Sequence, residues 1–511
     1  MFIKVKQTMI KKIMNIKKLL FLFVAVSVVS TSCTDQDDNL FSVDSSLEVQ
    51  DFVWKGLNLW YFWQGEVTDL ADSKLDDSAG YVSFLQGFPN PANLFNHLLH
   101  PDDRFSVIVE NYDDLQNSQQ GTSATNGVDI RYIFLNSGSS EVIGYVRYII
   151  PGSDADGKDI RRGDIVYAVD GQSLFYNSET DNNLNLLNPT SYTFNLADLS
   201  VTGGVRSITP NGRNIDLTKT NITENPILIA STIDVGSKKV GYIMYNQFIS
   251  NFDTQLNGAF GDFQAQGVTD LVLDFRYNPG GFVSSAIRIG SMVTGQFEGQ
   301  LFTKFRYNDK IQPLLTDEQE NRYFTNTLST GAAINSLGLS KVYVITTGST
   351  ASASELVINS LEPYIDVVQV GTTTTGKNEA SVSLYDSPSW TFGDSQLNPN
   401  HKWAMQPLIS RLENSAGFSN YTDGLNPDIE IAEDLTNLGV LGDETEPLLA
   451  AALANIAAAG RPALQDPTKI IPIEGVTETK LRRITGNRMY IDLKVGDNDD
   501  ALQNHKLIIN E

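Results

Sequence analysis

Hydrophobic positions along the chain fall into three successive patterns. Over residues 44–66, Val49, Phe52, Val53, Leu57 and Trp60 recur at three- and four-residue spacing, which predicts an amphipathic helix that Ser45 or Ser46 can cap. Residues 81–99 predict a second helix of the same kind. The crowded Trp54, Trp60, Tyr61, Phe62 and Trp63 read as a face that packs on a core. A polar run, 117–126, follows and reads as a linker or mobile loop. The pattern then becomes strand-like: 128–134, 142–150 and 165–171 read as strands, the last entering the Asp170-Gly171 turn, with a turn or short helix over 151–164. From 239 onward, β-branched apolar runs alternate with helical stretches. The strands are 239–248, 270–276, 341–347 and 366–370, and the helices are 253–266, 283–293 and 352–364. This is a repeating α/β layout. Residues 379–385 alternate like a further strand, and 446–459, rich in Ala and Leu with Pro447 in the first turn, predict a closing helix.

Length and composition place the chain among globular proteins with room for two to four domains: 511 residues, 41% hydrophobic and 10% aromatic. The first 32 residues carry Lys4, Lys6, Lys11, Lys12, Lys17 and Lys18, no acid, and an apolar run too short to span a bilayer comfortably. That reads as a secretory leader, whose start could be Met14. The chain's single cysteine, Cys33, stands at its end, so no disulfide can form within the chain. Thr34-Asp-Gln-Asp-Asp38 then reads as an acidic tether. The net charge is −24 over the whole chain, and −30 without the six leader lysines. So acidic a surface repels phosphate backbones and argues against a nucleic-acid partner.

Candidate chemistry gathers at turns between strands and helices. Gly348-Ser-Thr-Ala-Ser-Ala-Ser-Glu355 joins a strand to a helix N-terminus, whose free N–H groups favour developing negative charge. Ser352 reads there in two ways. It is the first residue of an S-x-x-E capping box, or it is a nucleophile, with Ser354 left to cap the helix. Asn278-Pro-Gly-Gly281 is a second strand-to-helix turn, where glycines let the backbone approach a ligand. Gly371-Thr-Thr-Thr-Thr-Gly-Lys-Asn378 nearly spells a phosphate-binding loop. Asn378 lacks the magnesium-ligating hydroxyl and a strand follows, so the nucleotide reading is rejected. His97 and His100 share a helix-like spacing without further ligands, so no metal is expected; His401 and His505 lack any motif. No cofactor is called for.

Taken in order, six motifs resemble the S41 family of serine peptidases, the C-terminal processing proteases. They are Arg162-Gly-Asp-Ile-Val-x-Ala-Val-Asp-Gly171, which resembles a PDZ domain, Gly241-Tyr-Ile-x-x-x-x-Phe248, Leu273-Asp-Phe-Arg-Tyr-Asn-Pro-Gly-Gly281, Ser352-Ala-Ser-Glu355, Thr375-Gly-Lys377 and Gly424-x-x-Pro-Asp428. The resemblance spans about residues 100–435. The aromatic N-terminal segment and Asp103-Arg-Phe-Ser106 resemble the Bacteroidetes-type lipoprotein branch.

The resemblance implies an α/β fold: a ClpP/crotonase-like peptidase core with an inserted PDZ-like β domain and a small helical N-terminal domain. Along the chain this gives a lipoprotein signal peptide over 1–32, the tether over 33–43, the helical domain over 44–115, the PDZ-like domain over 121–205, the core over 206–440 and a C-terminal helix and tail over 441–511. It implies Ser352 as nucleophile and, twenty-five residues on, Lys377 as general base. The backbone N–H groups of Gly281 and Ala353 would form the oxyanion hole. A lysine base must be neutral, which burial favours. Many members carry a glutamine four residues after the lysine; here Ser381 stands there, so Ser381 orients the dyad weakly, the dyad is oriented otherwise, or activity is reduced. Cys33 resembles a lipidated first residue, implying a cell-envelope lipoprotein on the outer membrane, with the acidic tether resembling a surface-export signal. The expected partners are the membrane, through that anchor, and a protein or peptide with a disordered tail. The competing expectation is a weak or inactive peptide-binding lipoprotein. A glycan-acting α/β protein is a third, without a clear pair of opposed carboxylates.

Overall fold

The computed structural model describes residues 43–457, Gly475 and residues 489–491. The leader, Cys33, nearly all of the tether, the end of the closing helix and most of the tail lie outside the described residues.

A six-stranded sheet forms the centre. Its order is Ile227–Val235, Lys238–Tyr245, Asp270–Asp274, Lys341–Thr346, Asp366–Gly371, Ile429–Glu430. The first pair is antiparallel and the rest are parallel. Its inner strands, Asp270–Asp274 and Lys341–Thr346, carry buried apolar residues in succession because both faces are covered. On one face Ile243, Tyr245, Leu271, Leu273, Val342 and Val344 pack beneath the helices Asp253–Gln266, Val283–Thr294 and Ala353–Leu361. On the other, Tyr242, Met244, Val272, Tyr343 and Ile345 meet the helix Pro447–Ile456, with Tyr148 and Ile150 in the same cluster.

Tyr148 lies near the end of one strand, and Ile150 just after it, in an antiparallel sheet ordered Val205–Thr218, Ser191–Thr202, Ile165–Val169, Val142–Ile149, Val128–Phe134. A long hairpin turning at Gly203-Gly204 carries this sheet to Thr218, past the boundary expected at 205. The polar run 117–126 is ordered by a distant partner. Tyr112–Gln119 is a helix, and Thr122–Thr125 pairs with Thr220–Thr223.

At the N-terminal side the helix Glu48–Trp60 buries Phe52, Val53, Trp54, Leu57 and Trp60, as its spacing predicts. The second expected helix is two: Ser78–Gln86 and Pro91–His97. Pro91 opens a new helix with Asn90 accepting from the Ala92 amide, so the chain breaks at 87–90. This aromatic core is continuous with Ile311, Val382, Leu384, Met405, Leu408 and Ile409 of the α/β region. A second mixed sheet, ordered Gly281–Phe282, Met489–Tyr490, Glu379–Ser381, Leu408–Glu413, Leu301–Tyr307, Asn321–Tyr323, flanks the centre. The expected strand 379–385 is split between this sheet and a small one holding Leu384–Tyr385. Among the described residues no helix is long and apolar enough to cross a membrane.

Candidate active site

Three loops meet at the ends of the central strands. The first is the turn between the strand Lys341–Thr346 and the helix Ala353–Leu361. Small hydroxyl residues stitch it down. The Thr350 hydroxyl donates to the Phe275 carbonyl at 2.8 Å and accepts from the Thr347 amide at 2.9 Å. At its end Ser352 has φ 65° and ψ −116°, one of three non-glycine residues with positive φ among those described. Such a conformation persists only where the surroundings over-determine it.

Glu355 does much of that holding. Fully buried, its carboxylate accepts from the amides of Ser352 at 2.6 Å, Gly376 at 2.7 Å and Lys377 at 2.9 Å, and from the Thr374 hydroxyl. Ser352 and Lys377 thus hang by their backbones from the same oxygen, Oε2. Burial pushes the Glu355 carboxyl up to about 7 against the pull of these donors. Ser352 is the N-cap residue of a capping box, its side chain facing the Glu355 amide, but its buried hydroxyl has no partner at full hydrogen-bond geometry. Ser354 does not cap the helix, contrary to expectation. Its hydroxyl crosses to the Asn278 carbonyl at 3.2 Å. The capping box therefore serves as a frame, and at most a weak contact with the Glu355 amide engages the Ser352 oxygen.

Asn278 ties in the second loop. Its carbonyl also accepts from the Ala351 amide at 3.0 Å, while its side chain donates to Tyr245 O at 2.7 Å and accepts from the Gly280 amide at 2.9 Å. Gly281 has φ 140°, and a Cβ there would sit 2.1 Å from Phe248 O, so glycine is required. Ala353 is buried at the first helical position, where an N–H has no intrahelical partner.

Lys377 closes the third loop and is fully buried. Gly376 before it has φ 80° and lies against Thr422 O, where a Cβ would approach to 2.2 Å. The Lys377 Nζ lies 5.2 Å from the centre of the Phe105 ring. Arg104 donates to Gly376 O at 2.5 Å and to Thr422 O at 3.1 Å. The Asp103-Arg-Phe-Ser106 turn holds itself in place. Asp103 accepts from the Phe105 and Ser106 amides, each at 2.9 Å, and from Tyr61 Oη at 2.8 Å; the Ser106 hydroxyl accepts from the Leu408 amide at 2.9 Å. Ser381 is buried in the strand that follows Lys377, beside a register shift against Leu408–Glu413.

Sequence reading brought forward Ser352, Lys377, Gly281 and Ala353, and these lie on the three joined loops. It passed over Glu355, taken only as a cap partner, and Asn278, whose place before Pro279-Gly-Gly281 was its one visible signal. His97 and His100 bond or stack within the aromatic domain, at 2.8 Å on Asp69 and flat against Trp63 respectively, and His401 sits 3.0 Å from Asp386. Among the described residues no cluster of His, Cys, Asp and Glu could hold a metal. A strand, not a helix, follows Gly371–Asn378, in line with rejecting a phosphate loop.

Residues 239–431 match the model of peptidase family S41, and residues 48–107 that of the peptidase S41 N-terminal domain. These two regions are similar to peptidase family S41 and to its N-terminal domain. It is 24% identical over 360 residues to the carboxyl-terminal-processing protease of a Picosynechococcus species, covering 70% of this chain and 74% of that protein. It is 24% identical over 368 residues to the chloroplastic C-terminal processing peptidase of Tetradesmus obliquus, covering 68% and 70%. A solved Bacteroides fragilis chain assigned as an S41 protease matches with a TM-score of 0.61 at 24% identity, over 80% of this chain and 97% of that one. That likeness speaks for the fold.

Proposed function

We propose that the chain is a serine endopeptidase that cuts unstructured protein tails with a Ser352–Lys377 dyad. The observation that carries this reading is the shared anchoring of Ser352 and Lys377 on Glu355, with Ser352 held in a strained turn and Lys377 wholly buried. Ser352 Oγ attacks the scissile carbonyl while neutral Lys377 takes its proton; the Gly281 and Ala353 amides receive the oxyanion. The Lys377 ammonium then protonates the leaving amine, and water hydrolyses the acyl-enzyme by the reverse proton path. Ser381, on the following strand, would help orient Lys377.

The antiparallel sheet is proposed as a PDZ-like module that presents the substrate. In support, its Arg131 and Arg147 reach Ser349 Oγ at 3.3 and 3.4 Å, three residues from Ser352. We propose further that Cys33 carries a lipid anchor in the cell envelope; Cys33→Ala would then move the protein from membrane to soluble fraction. To test the dyad, wild type and Ser352→Ala are incubated with an unfolded protein. Cleavage by wild type alone supports it, equal cleavage by both contradicts it, and binding without turnover favours a peptide-capturing role.

A further inference from the structure

The sheet order holds an anomaly. Gly281–Phe282 and Glu379–Ser381, one following each of two site loops, do not pair with each other; a strand from far along the same chain runs between them. Met489 pairs with Gly281 and Tyr490 with Phe282, both parallel, and Tyr490 also pairs with Ser381. The Ile491 amide donates to Ser381 O at 3.0 Å. The half-buried Ile491 packs against both the central core and the N-terminal aromatic core. Fourteen residues before Met489, Gly475 bridges Ile133 on Val128–Phe134, the edge strand of the antiparallel sheet.

Two short strand edges facing a gap form a slot for an extended peptide, which binds by completing the main-chain ladder. We propose that the chain's own segment Met489–Ile491 fills the substrate slot between Gly281–Phe282 and Glu379–Ser381 and competes there with substrate. This rests on reading the cleft as catalytic. It also gives the route of a substrate tail: along Val128–Phe134, then between the Gly281 and Ser381 strands. The competition is intramolecular, so even a modest set of main-chain bonds is effective.

The test compares the full chain, a chain ended at residue 474, and full-length Ile491→Pro, which removes the N–H given to Ser381. Activity on an unfolded protein is measured with and without a synthetic peptide of residues 485–494. Binding of that peptide, fluorescein-labelled, is followed by anisotropy in Ser352→Ala versions of all three. KM is expected to fall about tenfold on shortening, the worth of one or two hydrogen bonds, with kcat unchanged within about twofold. Ile491→Pro should fall between, and the peptide should inhibit the shortened chain competitively. Labelled peptide should bind the shortened chain and not the full one. Equal KM in all three, or equal peptide binding by full and shortened chains, overturns the proposal. The anisotropy arm decides even if no form cleaves, which would count against the peptidase reading alone; should the shortened chain fail to fold, Ile491→Pro carries the same comparison.

Discussion

The loop after the strand Asp270–Asp274 touches two buried carboxylate clusters, and their charges are balanced in opposite ways. Arg276 is fully buried between Asp274, bonded at 2.9 and 3.0 Å, and Glu446, bonded at 2.7 and 2.9 Å. Glu433 beside it accepts from Arg162 at 2.8 Å and from Tyr277. Burial works to raise the Glu433 carboxyl, but Arg162 and Arg276 hold it below the ordinary value. Two residues on, Asn278 enters the Ser352 frame, where Glu355 is met by three amides and a hydroxyl. The first cluster is ionic and joins three parts of the chain: the antiparallel sheet through Arg162, the central sheet through Arg276, and the closing helix through its cap Glu446. The second spends its acceptors on backbone and fixes the shape of a turn. Ion pairs lock segments together; amides on a carboxylate set φ and ψ.

Four outcomes follow from that contrast. Arg276→Met strands buried carboxylates, so stability should fall by about 3–5 kcal/mol, read by denaturant unfolding. Next comes pH. Glu355 binds its proton more tightly folded than unfolded, about 7 against 4.5, so its contribution to stability is full below pH 4.5 and is lost as pH rises to 7. The loss is on the order of 3 kcal/mol, and unfolding curves for Glu355→Gln should lack that slope. Glu433 works the other way: its folded value is lowered, so its contribution holds above pH 4.5 and fades as pH falls below. Third, Glu355→Gln presents an N–H₂ to donors that need an acceptor. The turn shifts, and kcat should drop about 10²-fold while stability at pH 6 changes by less than about 1.5 kcal/mol. An effect on stability with none on kcat would erase the contrast. The smallest effect belongs to Phe105→Leu, which keeps apolar bulk beside Lys377 and loses the ring face: kcat should fall about threefold to tenfold, with a stability cost under about 1.5 kcal/mol.

The same contrast explains what was legible in the sequence. Ser352 and Lys377 stood out because their spacing and residue types carry the resemblance, and the central strands because both faces are covered. Glu355 was hidden in plain view. A capping box is a local pattern, and nothing local says that its carboxylate also gathers Gly376 and Lys377. The ionic cluster was invisible for a related reason, since Arg162, Arg276, Glu433 and Glu446 come from four separate stretches. The break at 87–90 was readable from Gly87 and Pro91, but apolar spacing on both sides ran across it. Thr122–Thr125 becomes a strand only through Thr220–Thr223.

The central claim is that Ser352 and Lys377 act as one unit. A double-mutant cycle on cleavage of an unfolded protein tests it most directly, using Ser352→Ala, Lys377→Met and the pair, each checked for native unfolding behaviour. If the two residues share one proton transfer, each single variant loses at least about 10³-fold in kcat and the double variant loses no more than either. Lys377→Met retaining more than a tenth of wild-type activity, or losses that multiply in the double variant, would contradict it.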